Sequence, residues 1–404
     1  MGSLFNKSDI YLPKPDIDME KWTVIACDQF TSEPDFWNRV QKTVGDAPST
    51  FHMILPEVWL EEVDEDAVAA EINATMEKYL QADIFRTIPD SFIYVERTLR
   101  NGKIRPGIVG AIDLEQYDVS PDTTSALRAS ERIIAARLPS RVKIRRGAPL
   151  EMPHVLLLID DPGQEIIESI GNDTKNMELL YDFPLMEDCG HIRGFRLTGA
   201  AADRAATAIN QLAIILVGDG NHSLVAAKLA WDEQKVHLTE AQRQNHPARY
   251  ALVEINNVHD DSLEVEPIHR IVFHGVRDLI GTFIEKHANV VQGEGEGHVI
   301  RYMDRGTPGA FTIQGRTVGE AIDLLQEFLD THIETHGGTI DYIHGAENLE
   351  VLAQKAGSIA FFMPIIEKSA LFTSVEQGGV FPKKSFSMGE GADKRHYLEC
   401  RAIR

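Results

Sequence analysis

Cysteine is scarce in this chain, and that scarcity excludes two kinds of site. The three cysteines, Cys27, Cys189 and Cys400, lie far apart and form no CxxC pair. A disulfide framework and a cysteine-rich zinc site both need a regular set of spaced cysteines, so neither is expected. Unpaired thiols fit a reducing compartment, and we expect a cytoplasmic protein.

Long apolar runs and an excess of basic residues are also missing. No stretch approaches the ~18 consecutive apolar residues that a membrane-spanning helix needs, so no membrane association is expected. The 62 acidic residues outnumber the 40 lysines and arginines, which gives a formal net charge of -22. An acidic surface repels the phosphates of nucleic acids, so a nucleic-acid partner is not expected.

The length of the chain and its hydrophobic content indicate a globular protein with more than one domain. It has 404 residues, of which 43% are hydrophobic. A single core rarely extends beyond ~250–300 residues, so two domains are expected. Strands that end in acidic residues give way near residue 275 to alternating helices and hairpins. This change predicts an α/β to α+β domain over residues 1–274 and a smaller α+β domain over residues 275–404.

The most informative pattern is a strand, a polar glycine turn and a helix near the middle of the chain. Residues 213–217 predict a buried strand, and residues 224–229 have the apolar spacing of a helix. The turn between them consists of Gly218, Asp219, Gly220, Asn221, His222 and Ser223. The backbone N–H groups at such a helix start suit a phosphate or a carboxylate. Any tight turn favours the same residue types, so a structural role stays open.

Two basic clusters stand out in this acidic chain. The first comprises Arg128, Arg132, Arg137, Arg141, Lys143, Arg145 and Arg146. The second comprises Lys383, Lys384, Lys394, Arg395 and Arg401. Arg128 and Arg132 are four residues apart on a helix predicted over 124–138, so they would share a face and hold a phosphate. We favour the other interpretation, in which the first cluster is a solvated face that pairs with acids and the second is a surface tail.

Several segments together resemble the domain-of-unknown-function family 1015, often labelled ParB-like or Spo0J-like. They are residues 21–32 (KWTVIACDQFTS), 128–131 (RASE), 138–148, 154–162, 218–223, 267–270 (PIHR) and 382–387 (PKKSFS). The resemblance extends over essentially the whole chain. It implies that residues 1–274 form a ParB/sulfiredoxin-like domain of mixed structure.

The central turn carries the functional part of this resemblance. In the family it usually runs Asp-Gly-His-His-Arg, which is similar to turns that bind nucleotide phosphate in free-serine kinases and sulfiredoxins. Asp219, Gly220 and His222 match this pattern, whereas Asn221 stands at the first His and Ser223 at the Arg. The resemblance therefore implies a phosphate site. It leaves open whether Ser223 and the backbone suffice, whether Arg128 or Arg145 substitutes, or whether nucleotide binding is lost.

The resemblance and the polar residues of the chain together predict a function. The resemblance implies a phosphotransferase of free-serine-kinase type that uses ATP or ADP with Mg²⁺ and acts on a small molecule such as serine or phosphoserine. The expected catalytic residues are Asp28, Glu131, Asp219 and His222, with Asp219 also as the metal ligand. The expected phosphate-binding residues are Gly218, Gly220, Asn221, Ser223, Arg128 and Arg145.

Two other functions stay open at this point. The first alternative is a nucleotide- or metabolite-binding protein without catalysis on the same fold. A DNA-binding partition-type protein is a weaker alternative, because the chain is acidic and has no helix-turn-helix signature. Whether the chain forms a homo-oligomer is left open.

Overall fold

The computed structural model describes residues 2–31, 33–120, 123–274, 278–355 and 357–404, which form two compact units. The first unit comprises Met1–Arg128, Ile133–Leu263 and Glu390–Arg404, and the second comprises Ala129–Arg132 and Glu264–Gly389. The boundary predicted at residue 275 falls on residues 275–277, which lie outside the described part of the chain. The division into two domains at that point therefore stays a prediction.

Up to residue 257, the strands of the first unit are, in chain order, β1 (Phe5–Asn6), β2 (Ser8–Pro13), β3 (Val24–Ile25), β4 (Phe85–Thr98), β5 (Ile104–Asp113), β6 (Leu127–Ala129), β7 (Leu150–Glu151), β8 (Leu156–Ile159), β9 (Glu178–Pro184), β10 (His191–Leu197), β11 (Ile215–Asp219) and β12 (Tyr250–Asn257). Its helices are α1 (Met19–Trp22), α2 (Pro34–Val44), α3 (Glu65–Gln81), α4 (Leu138–Gly147), α5 (Glu168–Gly171), α6 (Gly199–Asn210), α7 (Asn221–Lys235) and α8 (Glu240–Asn245).

Within the described residues, a ten-stranded mixed sheet organises the first unit. Its order is β6-β11-β8-β12-β5-β4-β10-β9, with β1 paired to β5 and β2 paired to β4. Strand β8 runs parallel to β12 and antiparallel to β11. Strands β4 and β5 form a hairpin whose turn contains Asn101-Gly102, and Gly102 adopts the left-handed φ of 81° that such a turn requires.

The second unit is built on an antiparallel sheet. Its strands are β13 (Val265–Phe273), β14 (Val290–Gln292), β15 (His298–Asp304), β16 (Thr307–Ile313), β17 (Thr339–His344), β18 (Ser358–Phe362) and β19 (Phe386–Met388). Its helices are α9 (Leu279–Lys286), α10 (Val318–His336), α11 (Ala346–Leu352) and α12 (Lys368–Gly378). The sheet order is β14-β16-β15-β18-β13-β17, and β19 pairs with β13. The large mixed sheet and this second sheet confirm the predicted mixed α/β class.

The end of the chain belongs to the first unit. Strand β20 (His396–Tyr397) pairs with β3, and β21 (Arg401–Ala402) pairs with β7. The C-terminal segment thus contributes buried residues to the core that the earliest strands help to build, among them Tyr397 and Cys400. None of the helices in the described segments combines the length and the hydrophobicity of a bilayer span.

The helix predicted over residues 124–138 is wrong. Leu127–Ala129 instead forms β6, a short 3-10 helix follows at Ala135–Arg137, and α4 begins only at Leu138. Pro139 lies in the first turn of α4, the place where a proline fits a helix without removing a hydrogen bond. Strand pairing at the edge of the sheet outweighs the helical spacing of the preceding residues. Arg128 and Arg132 therefore do not share a helix face.

Candidate functional site

The central turn has the predicted form of a strand, a glycine turn and a helix. Strand β11 ends at Asp219, Gly220 takes a left-handed φ of 73°, and α7 begins at Asn221. A Cβ atom on Gly220 would lie 2.8 Å from the Cα of Val155, a separation that real Cβ atoms do not show. Glycine is therefore required here both for its conformation and for the close approach of the neighbouring backbone.

His154 lies directly beside this turn. Because β8 and β11 are antiparallel, the residues before β8 are adjacent to the residues after β11. A Cβ on Gly220 would lie 3.3 Å from the Cδ2 of His154. The His154 ring is buried, and neither of its nitrogens has a hydrogen-bond partner within the described residues. The ring thus packs against the turn.

Asp28, three residues after β3, is an ionic neighbour of His154. Its Oδ2 lies 3.7 Å from the Nε2 of His154, and its side chain is 14% exposed. Burial raises the pKa of Asp28, but the charge of His154, the charge of Arg141 and a 3.0 Å hydrogen bond from Gln29 outweigh it. Together they hold the pKa well below its usual range, so Asp28 is ionised at neutral pH.

His222 is neutral because burial and neighbouring cations lower its pKa. Burial, together with the positive charges of Arg141 and Arg137, lowers its pKa to about 4. Its Nε2 accepts a 2.8 Å hydrogen bond from the backbone N–H of Ile134. The ring proton therefore resides on Nδ1, which makes His222 a hydrogen-bond donor rather than a base at Nε2. We call Asp28, His154, Arg141 and His222 the Asp28 cluster.

Asp219 is already partnered. Its Oδ1 accepts a 2.8 Å hydrogen bond from the N–H of Gly220, and its Oδ2 lies 3.2 Å from the Nζ of Lys394. No group of three candidate metal ligands occurs within the described residues. The role of Asp219 as a metal ligand stays a prediction.

Three of the expected phosphate-binding residues have partners within the protein. Arg128 donates through Nε to the carbonyl of Ser125 at 2.7 Å, and the Oδ1 of Asn221 accepts from the hydroxyl of Tyr117 at 3.2 Å. Arg145 forms a 2.7 Å ion pair with the buried Glu151.

Glu131 belongs to the second unit. Its Oε1 accepts hydrogen bonds from the backbone N–H groups of Ser385 and Phe386, at 2.9 and 3.1 Å. This carboxylate therefore fixes the turn that precedes β19, and the catalytic role expected for it stays a prediction. Burial raises its pKa, although both backbone hydrogen bonds oppose that shift.

The first basic cluster pairs with acidic side chains, as expected for the face that the sequence favoured. The ion pairs are Arg132–Asp323, Arg137–Glu57, Arg141–Glu57, Lys143–Glu65, Lys143–Asp66, Arg145–Glu151 and Arg146–Glu233. The face is not uniformly solvated, because the side chains of Arg141 and Arg145 are only 12% and 13% exposed.

The interpretation of the second basic cluster as a surface tail is wrong for Lys394, Arg395 and Arg401. All three are buried in the first unit. Arg395 pairs with Glu254 and with Glu399, and Arg401 pairs with Glu151 at 2.6 Å. Buried cations of this kind are retained only where such carboxylates compensate them.

Sequence reasoning missed His154 as a member of the site. The signals were a polar residue directly before the apolar run 155–159 and the position of that residue at the start of the family-like segment 154–162. Lys394 was missed as the partner of Asp219, because the two residues lie far apart in the sequence. Tyr397 was missed in the same way; its ring lies 5.2 Å from that of His154, and its hydroxyl lies 3.0 Å from the Sγ of Cys27.

Comparison with known proteins places the chain in a family. Residues 9–332 match the family model described as Protein of unknown function (DUF1015). The chain belongs to this family. No curated protein matches the chain.

Three solved structures illustrate what the fold is similar to. A conserved hypothetical protein from Pyrococcus furiosus has a TM-score of 0.40 at 13% identity, over 71% of this chain and 92% of that one. A free serine kinase in complex with AMP has a TM-score of 0.42 at 11% identity, over 71% and 90%. SbnI from Staphylococcus aureus, with a C-terminal truncation, has a TM-score of 0.39 at 10% identity, over 70% and 82%. These similarities are too low to transfer a residue's role to this chain.

Proposed function

We propose that the chain is a small-molecule phosphotransferase, which binds nucleotide phosphates at the N-terminus of α7 and transfers one phosphoryl group to a free hydroxyl. The observation that supports this best is the meeting of an ionised carboxylate with a helix start. Asp28 contacts His154, and His154 abuts Gly220 at the beginning of the fifteen-residue helix α7. A carboxylate that can accept the proton of a hydroxyl thus lies close to backbone N–H groups that can bind phosphate.

The phosphate cradle would be formed mainly by backbone. The first N–H groups of α7 point along the helix axis toward the turn, and the helix dipole favours an anion there. His222 adds a donor at Nδ1. Arg141 supplies positive charge close to His222 and Asp28, which substitutes for the arginine that Ser223 replaces in the turn.

Asp28 would orient the acceptor hydroxyl and take its proton. The hydroxyl oxygen attacks the terminal phosphorus, the bond to the nucleotide's bridging oxygen breaks, and the proton passes to the carboxylate. A weakly basic aspartate suits this role, because a loose transition state needs positioning before it needs proton removal. ATP and ADP are the donors to test, and serine is the first acceptor. Mg²⁺ would enter as the metal complex of the nucleotide, so no step depends on a metal held by the protein.

Binding calorimetry with two glycine variants tests the cradle. Gly220→Ala and Gly102→Ala both put a side chain on a left-handed glycine, but only the first pushes a Cβ against neighbouring backbone. We expect wild type and Gly102→Ala to bind the Mg²⁺ complexes of ATP or ADP equally, and folded Gly220→Ala to bind at least about tenfold more weakly. Absence of nucleotide binding by wild type, or equal affinity in all three, would reject the proposal.

A second candidate function is binding of a nucleotide or metabolite without turnover. The observation that favours it is the pairing of Asp219 with Lys394 and with the Gly220 N–H, which occupies a carboxylate expected to be catalytic. Nucleotide binding without any phosphoryl transfer to hydroxyl compounds would support this candidate over the first.

A further inference from the structure

A cavity of about 130 Å³ lies in the first unit next to the Asp28 cluster. Its wall includes Cys27, directly before Asp28, and Ser223, directly after His222. Most of the remaining wall is apolar, with side chains such as Met53, Leu60 and Met76. The cavity is thus placed to hold the body of a molecule whose reactive group lies at the cluster.

Two arginines of α4 interrupt this apolar wall. Arg145 pairs with Glu151 through Nη1, but its Nη2 is buried and has no hydrogen-bond partner within the described residues. The Nε of Arg141 is likewise buried and without a partner there. A buried donor that makes no hydrogen bond destabilises the protein, so an acceptor supplied by a ligand would remove that cost.

Each carboxylate of the cavity wall is shared by two arginines. Arg145 and Arg401 pair with Glu151, and Arg137 and Arg141 pair with Glu57. This pairing still leaves one nitrogen of Arg145 and one of Arg141 without an acceptor in the described part of the chain, which a ligand carboxylate would supply.

We infer that this cavity binds a small aliphatic carboxylate, with its carboxylate on Arg145 and Arg141 and its hydrocarbon chain against the apolar wall. The inference rests on the proposed function and assigns its acceptor class: a hydroxy acid with an apolar side chain, in preference to serine. An engineered cavity of about 150 Å³ holds benzene, so this one suits a ligand of about six to eight non-hydrogen atoms. Isovalerate and α-hydroxyisovalerate fall in that range.

Calorimetry with isovalerate, isoamyl alcohol and serine, in the absence of nucleotide, tests the inference on the full chain. We expect wild type to bind isovalerate at least about tenfold more tightly than either other compound. Arg145→Met should weaken isovalerate at least about tenfold and leave isoamyl alcohol unchanged, because it removes the cation but keeps an apolar chain. Arg146→Met is the matched control, since that arginine is outside the cavity wall and pairs with the exposed Glu233.

A cavity-filling variant provides an independent measurement. Ala226 of α7 lines the cavity, whereas Ala230, one turn later, does not. Ala226→Leu should abolish isovalerate binding and Ala230→Leu should preserve it, with folding of both checked by tryptophan fluorescence. Isovalerate binding that is undetectable in wild type, or equal in Arg145→Met and Arg146→Met, would overturn the inference.

The outcome is separable from that of the proposed function. Phosphoryl transfer to serine together with failure of isovalerate to bind would reject the cavity assignment alone. Isovalerate binding that depends on Arg145, together with absence of nucleotide binding, would reject the phosphotransferase and leave a carboxylate-binding site. Faster transfer to α-hydroxyisovalerate than to serine would support both.

Discussion

Replacing Arg395 by leucine is expected to destabilise the first unit by about 3–5 kcal/mol, because it removes the cation of a buried network. The Nε of Arg395 lies 2.8 Å from Glu254 Oε2, and its Nη2 lies 2.7 Å from Glu399 Oε2. All three side chains are at most 4% exposed. A third donor, Nη1, bonds to the carbonyl of Pro153 at 2.6 Å and so fixes the backbone directly before His154.

The pH dependence of this loss has a definite sign. Burial raises the pKa of Glu254, but Arg395 and Arg105 lower it more, so the net pKa is below its usual value. A depressed carboxyl stabilises the fold above its unfolded pKa, and that stability disappears as the pH falls through the folded pKa. In Arg395→Leu burial dominates and the carboxyl gains a proton more easily. As the pH falls, the variant therefore regains stability above about pH 4.3, the ordinary glutamate value, and wild type loses stability below it, so the difference between the two should shrink.

Urea unfolding followed by tryptophan fluorescence measures this effect. The four tryptophans, Trp22, Trp37, Trp59 and Trp231, all belong to the first unit, so the signal reports that unit. The control is Arg146→Leu, which breaks an exposed pair and should cost less than about 1 kcal/mol. Equal losses in the two variants at pH 7, or a loss for Arg395→Leu that stays constant down to pH 4, would refute the reasoning.

The remaining expectations concern one histidine, the thiols and one glutamate. His222 should stay neutral at pH 5 with its proton on Nδ1, as read by ¹⁵N–¹H correlation NMR; titration near pH 6.5 would contradict this. The three cysteines are buried, and burial raises the pKa of Cys27 to about 11, so native protein should resist a thiol reagent that modifies every cysteine after unfolding. Glu131→Ala should accelerate amide hydrogen exchange at Ser385 and Phe386, whereas Glu131→Gln, which keeps an acceptor oxygen, should not.

The features that the sequence predicted well are local. The strand, glycine turn and helix around residues 215–235 follow from apolar spacing and from glycine's access to positive φ, both of which a short window contains. The acid-pairing character of the first basic cluster has a compositional cause, because acidic residues outnumber basic ones in this chain. These features depend little on where the rest of the chain lies.

The features that it missed depend on chain segments remote in sequence. Asp28 meets His154 only because β3 and the start of β8 come together in the first unit. Lys394 meets Asp219 only because the C-terminal segment returns to that unit. The helix wrongly predicted over 124–138 failed for the same reason, since Leu127–Ala129 gains more from pairing in the sheet than from helix formation. A short stretch of sequence specifies neither the order of the strands in a sheet nor the return of a distant segment to the same unit.

Phosphorus NMR of ATP with a hydroxyl acceptor, serine or α-hydroxyisovalerate, in wild type and two aspartate variants tests whether Asp28 is the base for phosphoryl transfer. Asp28→Asn removes the proposed base. Asp182→Asn is the matched control, because Asp182 also pairs with a histidine, His191 at 3.1 Å, but lies at an exposed position. We predict that wild type and Asp182→Asn transfer phosphate equally, and that Asp28→Asn is slower by a factor of about 10² or more while binding nucleotide normally. Transfer by Asp28→Asn at the wild-type rate, or nucleotide binding by wild type without transfer to either acceptor, would contradict the account.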